Sequence, residues 1–172
     1  MFLKIKKMAN ITLGGNPITT IGTLPKTGEK APEFDLTAVD LSHKNLEDYA
    51  GKNIIFNIFP SIDTGTCATS VRAFNKKAAN LENTVVICIS RDLPFAQARF
   101  CGAEGIENVV MLSDFATGSF GKKYQLEMTN GPLANLHSRV LIVTNTEGRI
   151  IYTEQVSEIA KEPNYDAALK AL

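Results

Sequence analysis

Residues 53–67, Asn-Ile-Ile-Phe-Asn-Ile-Phe-Pro-Ser-Ile-Asp-Thr-Gly-Thr-Cys, constrain the fold more than any other stretch. Ile54 to Phe59 is apolar and β-rich with one polar interruption, Asn57, and reads as a buried strand. Pro60 stops it. Asp63, Thr64 and Thr66 are N-cap residue types, and Gly65 eases the turn. Val71, Phe74, Ala78 and Leu81 then recur at helical spacing. Cys67 therefore falls in or near the first turn of a helix, just past the C-terminal edge of a core strand. Reactive groups in open α/β sheets gather at that edge. The positive end of the helix dipole favours a thiolate there. A free cysteine is more often a small, inert core residue. The polar turn before Cys67 argues for the reactive alternative.

The rest of the chain alternates in the same manner. Ile11–Leu13 and Ile18–Ile21 flank Gly14-Gly15-Asn16-Pro17, a hairpin signal. Phe34–Val39 reads as a short strand and Asn45–Tyr49 as one helical turn ended by Gly51. Thr84–Ser90 is continuous and β-branched, as a parallel strand covered on both faces should be, and buries Cys88 as an inert side chain. Asp92 to Cys101 predicts a helix with Pro94 near its start and Gly102 and Gly105 past its end. Val109–Leu112 is a further strand and Thr117–Tyr124 a weak helix. Arg139–Thr144 and Arg149–Gln155 form a hairpin through Asn145-Thr146-Glu147-Gly148, and Asn164 caps a last helix. Parallel crossovers followed by an antiparallel hairpin predict an α/β fold, a mixed sheet with helices on both faces and an N-terminal β-hairpin.

Length and charge narrow the reading. At 172 residues one domain is expected, with residues 1–10 as an N-terminal extension and 11–172 as the domain. Lys plus Arg equals Asp plus Glu at 18 each, which gives no electrostatic footprint for nucleic acid or an anionic membrane. No apolar run approaches a membrane span. Met1–Lys7 carries three lysines but no apolar segment or cleavage site follows, so no secretory signal is expected, and Met8 offers a second start. Three cysteines, Cys67, Cys88 and Cys101, do not suit a structural disulfide framework. The absence of Cys-x-x-Cys weakens zinc and dithiol readings. His43 and His137 stand alone and read as surface or loop residues.

The element order resembles the thioredoxin fold, and Pro60, Thr64 and Cys67 match the Pro-x-x-x-Thr-x-x-Cys motif of peroxiredoxins. With Cys101 placed 34 residues after Cys67, and with the N-terminal hairpin, the chain resembles the bacterial thiol peroxidase group, the atypical two-cysteine peroxiredoxins, from Met8 to Leu172. It departs from many relatives at Gly65-Thr66, where they carry Pro-Val. The resemblance implies that Cys67 is the peroxidatic cysteine, that Cys101 resolves it through an intrachain disulfide, that Thr64 and Arg139 stabilise charge, and that Pro60 shields the oxidised sulfur. It further implies hydrogen peroxide and alkyl hydroperoxides as substrates, thioredoxin as reductant, no metal or organic cofactor, and a homodimer. A cytoplasmic location follows from the same analogy and from free thiols.

Physical chemistry sets a requirement on such a site. An ordinary cysteine of pKa about 8.5 is only about 3% thiolate at pH 7. Lowering that pKa to about 6 raises the thiolate fraction roughly 30-fold, while nucleophilicity falls roughly 13-fold. The net gain is about twofold, so donors must also stabilise the negative charge on the leaving oxygen. Thr64 and the N–H groups of Gly65 to Cys67 are local candidates. The helix dipole contributes at most about 2 kcal/mol, whereas a shift of that size needs about 3.4 kcal/mol, so a cation is required. Resemblance places it at Arg139, with Arg72 the next candidate; a lone arginine is by default solvated. Two other readings remain open on the residues: a disulfide oxidoreductase on the same fold, and a redox-sensing or chaperone-like module in which Cys67 oxidation signals to a partner.

Overall fold

The computed structural model describes residues 8–172; Met1–Lys7, most of the expected extension, lies outside the described residues. Among the described residues nine strands and four helices follow in order. These are β1 (Asn10–Leu13), β2 (Asn16–Thr19), β3 (Asp35–Ala38), β4 (His43–Asn45), β5 (Asn53–Ile58), α1 (Gly65–Ala78), β6 (Thr84–Ser90), α2 (Pro94–Glu104), β7 (Val110–Ser113), α3 (Ser119–Lys123), β8 (Val140–Thr144), β9 (Ile150–Gln155) and α4 (Tyr165–Lys170). β1 and β2 pair as a hairpin whose two turn residues, Gly14 and Gly15, have φ of +58° and +79°. Both signs are positive, as a tight two-residue hairpin turn requires, which is why glycine occupies both positions.

The other seven strands form one mixed sheet in the order β4-β3-β7-β6-β5-β8-β9. β5, β6 and β7 run parallel, connected through α1 and α2; β8 pairs antiparallel with β5, and β9 with β8. The central strands are buried on both faces, and their alternation sorts two cores. Ile54, Phe56, Ile58, Ile87, Ile89, Val140 and Ile142 face a core shared with Phe120 of α3 and Tyr124 just past its end. Ile55, Phe59, Val86, Cys88, Leu141 and Val143 face a core shared with α1, α2 and α4 through Val71, Phe74, Phe100 and Ala168. The period of two in each strand thus dictates which residues meet which helix. The first core is aromatic: Phe120 stacks on Tyr124 with centroids 4.2 Å apart, and Phe34 meets Phe56 and Phe120 edge-on at 6.0 Å.

Several local expectations shift. Asn45 does not begin a helical turn; it ends β4 and caps a 3₁₀ turn over Leu46–Tyr49, accepting hydrogen bonds from the Glu47 and Asp48 N–H groups. α2 runs past Cys101 to Glu104, and only Gly105, at φ +63°, ends it. Gly102 lies inside the helix because its N–H and C=O still fit the α-helical ladder; the left-handed cap is what needs glycine. His137 is a correction: it is fully buried, and its Nε2 lies 2.9 Å from Asp114 Oδ2. Asp114 also accepts the N–H groups of Phe120 and Gly121, so a buried carboxylate ties α3 to the approach to β8. His43 is exposed beside Asp35, as expected of a loop-edge histidine.

The aromatic core predicts a large penalty at its centre. Phe120→Ala should lower stability by about 3–5 kcal/mol and the melting temperature by roughly 6–20 °C, read by thermal unfolding; a loss below about 1 kcal/mol would mean that the Phe34–Phe56–Tyr124 cluster closes over the hole.

Candidate active site

The register of β5 and β8 builds the site. Ile58 pairs with Val140, so the next residue of β8's strand line, Arg139, arrives beside the end of β5 where the chain turns towards α1. Leu141 and Val143 face the α1 side, and Arg139 shares their parity. Its guanidinium is consequently carried under the first turn of α1. Pro60 is buried at the end of β5, and Cys67 is the third residue of α1.

Cys67 is 0% exposed and Arg139 3% exposed. Arg139 Nη2 lies 3.4 Å from Cys67 Sγ, and Arg139 Nε donates to the Ile159 carbonyl at 2.8 Å. Nη1 is buried with no hydrogen-bond partner among the described residues. Arg139 makes no salt bridge with a carboxylate there either. A buried guanidinium without a carboxylate is costly unless another anion faces it. The Cys67 sulfur is the side-chain atom that faces it, at Nη2. Tyr165 of α4 borders the pair: burial first, then its hydrogen bond to Glu162, holds its phenol above the ordinary range, with Arg139 opposing and Cys67 adding.

Thr64 occupies the N-cap position of α1 in extended backbone, but its side chain caps nothing. Its Oγ1 stands 2.7 Å from Cys67 Sγ and 3.0 Å from the Ser61 carbonyl. A hydroxyl has one proton to donate. With Cys67 as a thiol, that proton can rest on Ser61 O while the S–H points at Oγ1; with a thiolate, the hydroxyl turns to the sulfur. The turn itself is pinned by Asp92. Its carboxylate accepts Ser61 Oγ at 2.7 Å, the Ile62 N–H at 2.7 Å and Ser90 Oγ at 2.6 Å. Sequence reading passed over Asp92; an acidic residue just beyond a core strand's carboxyl edge was the available signal. Asp63 and Thr66 are not caps: Asp63 pairs with Arg99 at 2.6 Å, and Thr66 donates to the Ala160 carbonyl.

Arg72 is not the cation of this site. It forms a two-pronged pair with Glu104, both bonds at 2.9 Å, and lies over the Phe100 ring. It fastens α1 to the last turn of α2, where Cys101 sits half-buried with its carbonyl accepting the Gly105 and Ile106 N–H groups. All three thiols are free. Burial pushes the Cys101 thiol up. Burial also pushes Cys88 up to about 12, against a hydrogen bond from Asn57 and with a smaller push from Cys101. Cys67 and Cys101 lie on separate helices, in the first turn of α1 and the last turn of α2, and no disulfide joins them in this structure. Among the described residues no cluster of three or more His, Cys, Asp or Glu could hold a metal ion.

The sequence pattern of the redoxin family matches residues 26–169. Over 165 residues the chain is 52% identical to thiol peroxidases of Mycobacterium bovis and Mycobacterium tuberculosis, covering 96% of this chain and 99% of each relative. Among solved structures, a peroxiredoxin-like protein from Aquifex aeolicus superposes with a TM-score of 0.89 at 36% identity, over 96% of this chain and 97% of that one. A thiol peroxidase from Chromobacterium violaceum gives 0.84 at 22% identity, over 94% and 93%, a likeness of fold.

The raised Cys88 thiol has a measurable consequence. Folded, it stays protonated to about 12; unfolded, it ionises near its ordinary 9.0. The unfolded state therefore loses a proton that the folded state keeps, and stability falls as pH rises through that window. Cys88→Ala should make the decline between about pH 9 and pH 10.5 shallower, by up to ~1.4 kcal/mol per pH unit, in urea unfolding. Equal slopes would show that the Cys88 thiol reaches solvent in the folded protein.

Proposed function

The chain belongs to the redoxin family, as a thiol peroxidase of the peroxiredoxin type, and on that premise we propose that Cys67 is its peroxidatic nucleophile and Cys101 its resolving partner. The observation that carries this reading is the buried Arg139, with Nη2 on the Cys67 sulfur and Nη1 without a partner. An unsatisfied buried donor costs about 1–3 kcal/mol. An oxygen of a hydroperoxide lying against Sγ relieves it, so the arginine binds the substrate and holds the sulfur at once.

In the proposed first step the Cys67 thiolate attacks the terminal oxygen of ROOH. The S–O bond forms as the O–O bond breaks, and the sulfur is oxidised by two electrons to a sulfenic acid. The leaving RO⁻ takes up the proton that the thiol released and departs as water or alcohol. Charge moves from sulfur to the distal oxygen, past the two guanidinium nitrogens and the Thr64 hydroxyl. Pro60, buried at the end of β5, walls the sulfur off from bulk water. In the second step the Cys101 thiolate attacks the sulfenic sulfur: an S–S bond forms as the S–O bond breaks, and the leaving hydroxide takes up the proton that the Cys101 thiol released and departs as water. A thioredoxin-type dithiol then restores both thiols. The cycle draws its electrons from thiols alone, without metal or organic cofactor. Hydrogen peroxide and alkyl hydroperoxides are the proposed substrates, in the cytoplasm, with a homodimer as the proposed assembly. Among the described residues no helix is long and apolar enough to cross a membrane.

Because the two cysteines sit on separate helices, the proposed disulfide requires the last turn of α2 and the first of α1 to open in each cycle. The ties that must release are exposed or half-exposed pairs, Arg72–Glu104 and Arg99–Asp63. Such pairs contribute about 0–1 kcal/mol each, a barrier that local fluctuation crosses readily.

Cys67→Ser should abolish peroxide consumption with thioredoxin and its reductase, because a serine hydroxyl is not ionised at neutral pH. Cys101→Ser should keep the first oxidation within about twofold while ending turnover, and its Cys67 should advance to sulfinic acid under excess peroxide. Mass spectrometry of the wild type after one equivalent of peroxide should find a Cys67–Cys101 disulfide with Cys88 free. Substantial turnover in Cys67→Ser would move the nucleophile elsewhere; a disulfide to Cys88 or between chains would overturn the role given to Cys101.

A further inference from the structure

The carbonyl that aims Arg139 belongs to a loop, residues 156–160, which is held from the far side by the N-terminal hairpin. Ile159 C=O accepts Arg139 Nε, and the next carbonyl, Ala160, accepts the Thr66 hydroxyl in the first turn of α1. The loop therefore touches both the arginine and the helix that carries Cys67. Its own position depends on Glu158. One carboxylate oxygen of Glu158 accepts the Gly14 N–H at 3.0 Å and the Ala160 N–H at 3.1 Å; the other accepts the Gly15 N–H at 3.0 Å and the Thr12 hydroxyl at 2.8 Å. Around this carboxylate the backbone closes a bridge. Thr12 N–H donates to Ser157 O at 2.7 Å, and Ile159 N–H donates to Thr12 O at 2.8 Å. Ile159 packs with Ile11, Ile18 and Met128 beneath the hairpin.

We propose that Glu158 is a positioning residue for the peroxide-reducing step, and that the β1–β2 hairpin, gripped by its carboxylate, is the brace that keeps the Ile159 carbonyl on Arg139. The proposal rests on the roles given above to Cys67 and Arg139. The turn of the hairpin supplies two adjacent N–H groups because Gly14 and Gly15 both have positive φ, a geometry that points successive amides at one anion. Four donors converge on Glu158, and they hold its carboxyl down to about 2, the Gly15 N–H most strongly, then Thr12, Ala160 and Gly14. The grip is accordingly ionised at neutral pH. Since Glu158 touches neither sulfur nor guanidinium, its effect reaches the reaction through the one-residue step to Ile159. A guanidinium released from that carbonyl can swing off the line between Sγ and the leaving oxygen. Displacement of a catalytic group by about 1 Å is enough to slow a reaction about 100-fold.

A merely structural role and a positioning role separate in one ratio. Peroxide oxidation needs a thiolate and a correctly aimed guanidinium, whereas alkylation by iodoacetamide needs the thiolate and access. Glu158→Gln, which keeps the side chain's shape but replaces one acceptor oxygen by a donor, should lower the single-turnover oxidation rate by about 10- to 100-fold. Its alkylation rate at Cys67 should stay within about twofold at 20 °C below its own unfolding midpoint. Thr12→Val, which removes one donor to the carboxylate from the opposite element, should move the same ratio in the same direction, and serves should Glu158→Gln not fold. Equal loss of both rates, or an oxidation rate within about twofold of wild type in the folded variant, overturns the proposal. Cys67→Ser run alongside separates the two readings: if it still turns over, the role of Cys67 falls and this brace with it; if it is dead while the ratio is unmoved, the brace alone falls.

Discussion

A buried guanidinium facing a buried cysteine sulfur is the interaction on which this fold converges. Arg139 reaches Cys67 at 3.4 Å while 3% exposed, with no carboxylate to neutralise it among the described residues. Removing a guanidinium from water is unfavourable unless its charge and donors are met. The protein meets Nε with a backbone carbonyl and Nη2 with sulfur, and Nη1 has no hydrogen-bond partner among the described residues. Each neighbouring feature serves this arrangement. The β5–β8 register delivers the arginine, the Asp92 carboxylate holds the turn that carries Thr64, and the 156–160 loop fixes the guanidinium plane.

The same helix layer has to be firm and yet release. Cys67 and Cys101 lie on different helices at different depths, both reduced. Polar pairs at the surface join the helices, while the apolar contacts of Val71, Phe74 and Phe100 remain in the core below. Exposed ion pairs are weak and independent of the core. The helix ends can therefore open without unfolding the sheet, a partition between local and global stability that the proposed two-cysteine cycle requires.

What was legible in the sequence was local. The strand, proline, polar turn and helix around Cys67 announce themselves by composition and period, and β5 and α1 appear where residues 53–67 place them. Cys88 in a β-branched run reads as buried, and it is. Pairing across the chain was not legible. Nothing within Ser138-Arg139-Val140 tells that β8 will lie antiparallel to β5, so the arginine looked solvated until family resemblance singled it out. His137 misled for the same reason, since its partner Asp114 is 23 residues away. Glu158 was invisible because a carboxylate that gathers backbone N–H groups from another element carries no local motif. The end of α2 was misplaced by three residues because either glycine after Cys101 could have capped it, and only Gly105 adopts the left-handed conformation.

The central claim is that Arg139 stabilises the charge that moves on to the leaving oxygen, over and above any effect on ionisation of the thiol. The direct measurement is single-turnover oxidation of Arg139→Ala by hydrogen peroxide, set against its thiolate fraction read by ultraviolet absorbance across pH. The oxidation rate per thiolate should fall by about 100- to 1,000-fold, the loss typical of removing one preorganised donor from a developing anion. An oxidation rate that tracks thiolate fraction alone would contradict this claim, and would leave the arginine as a group that only ionises the sulfur.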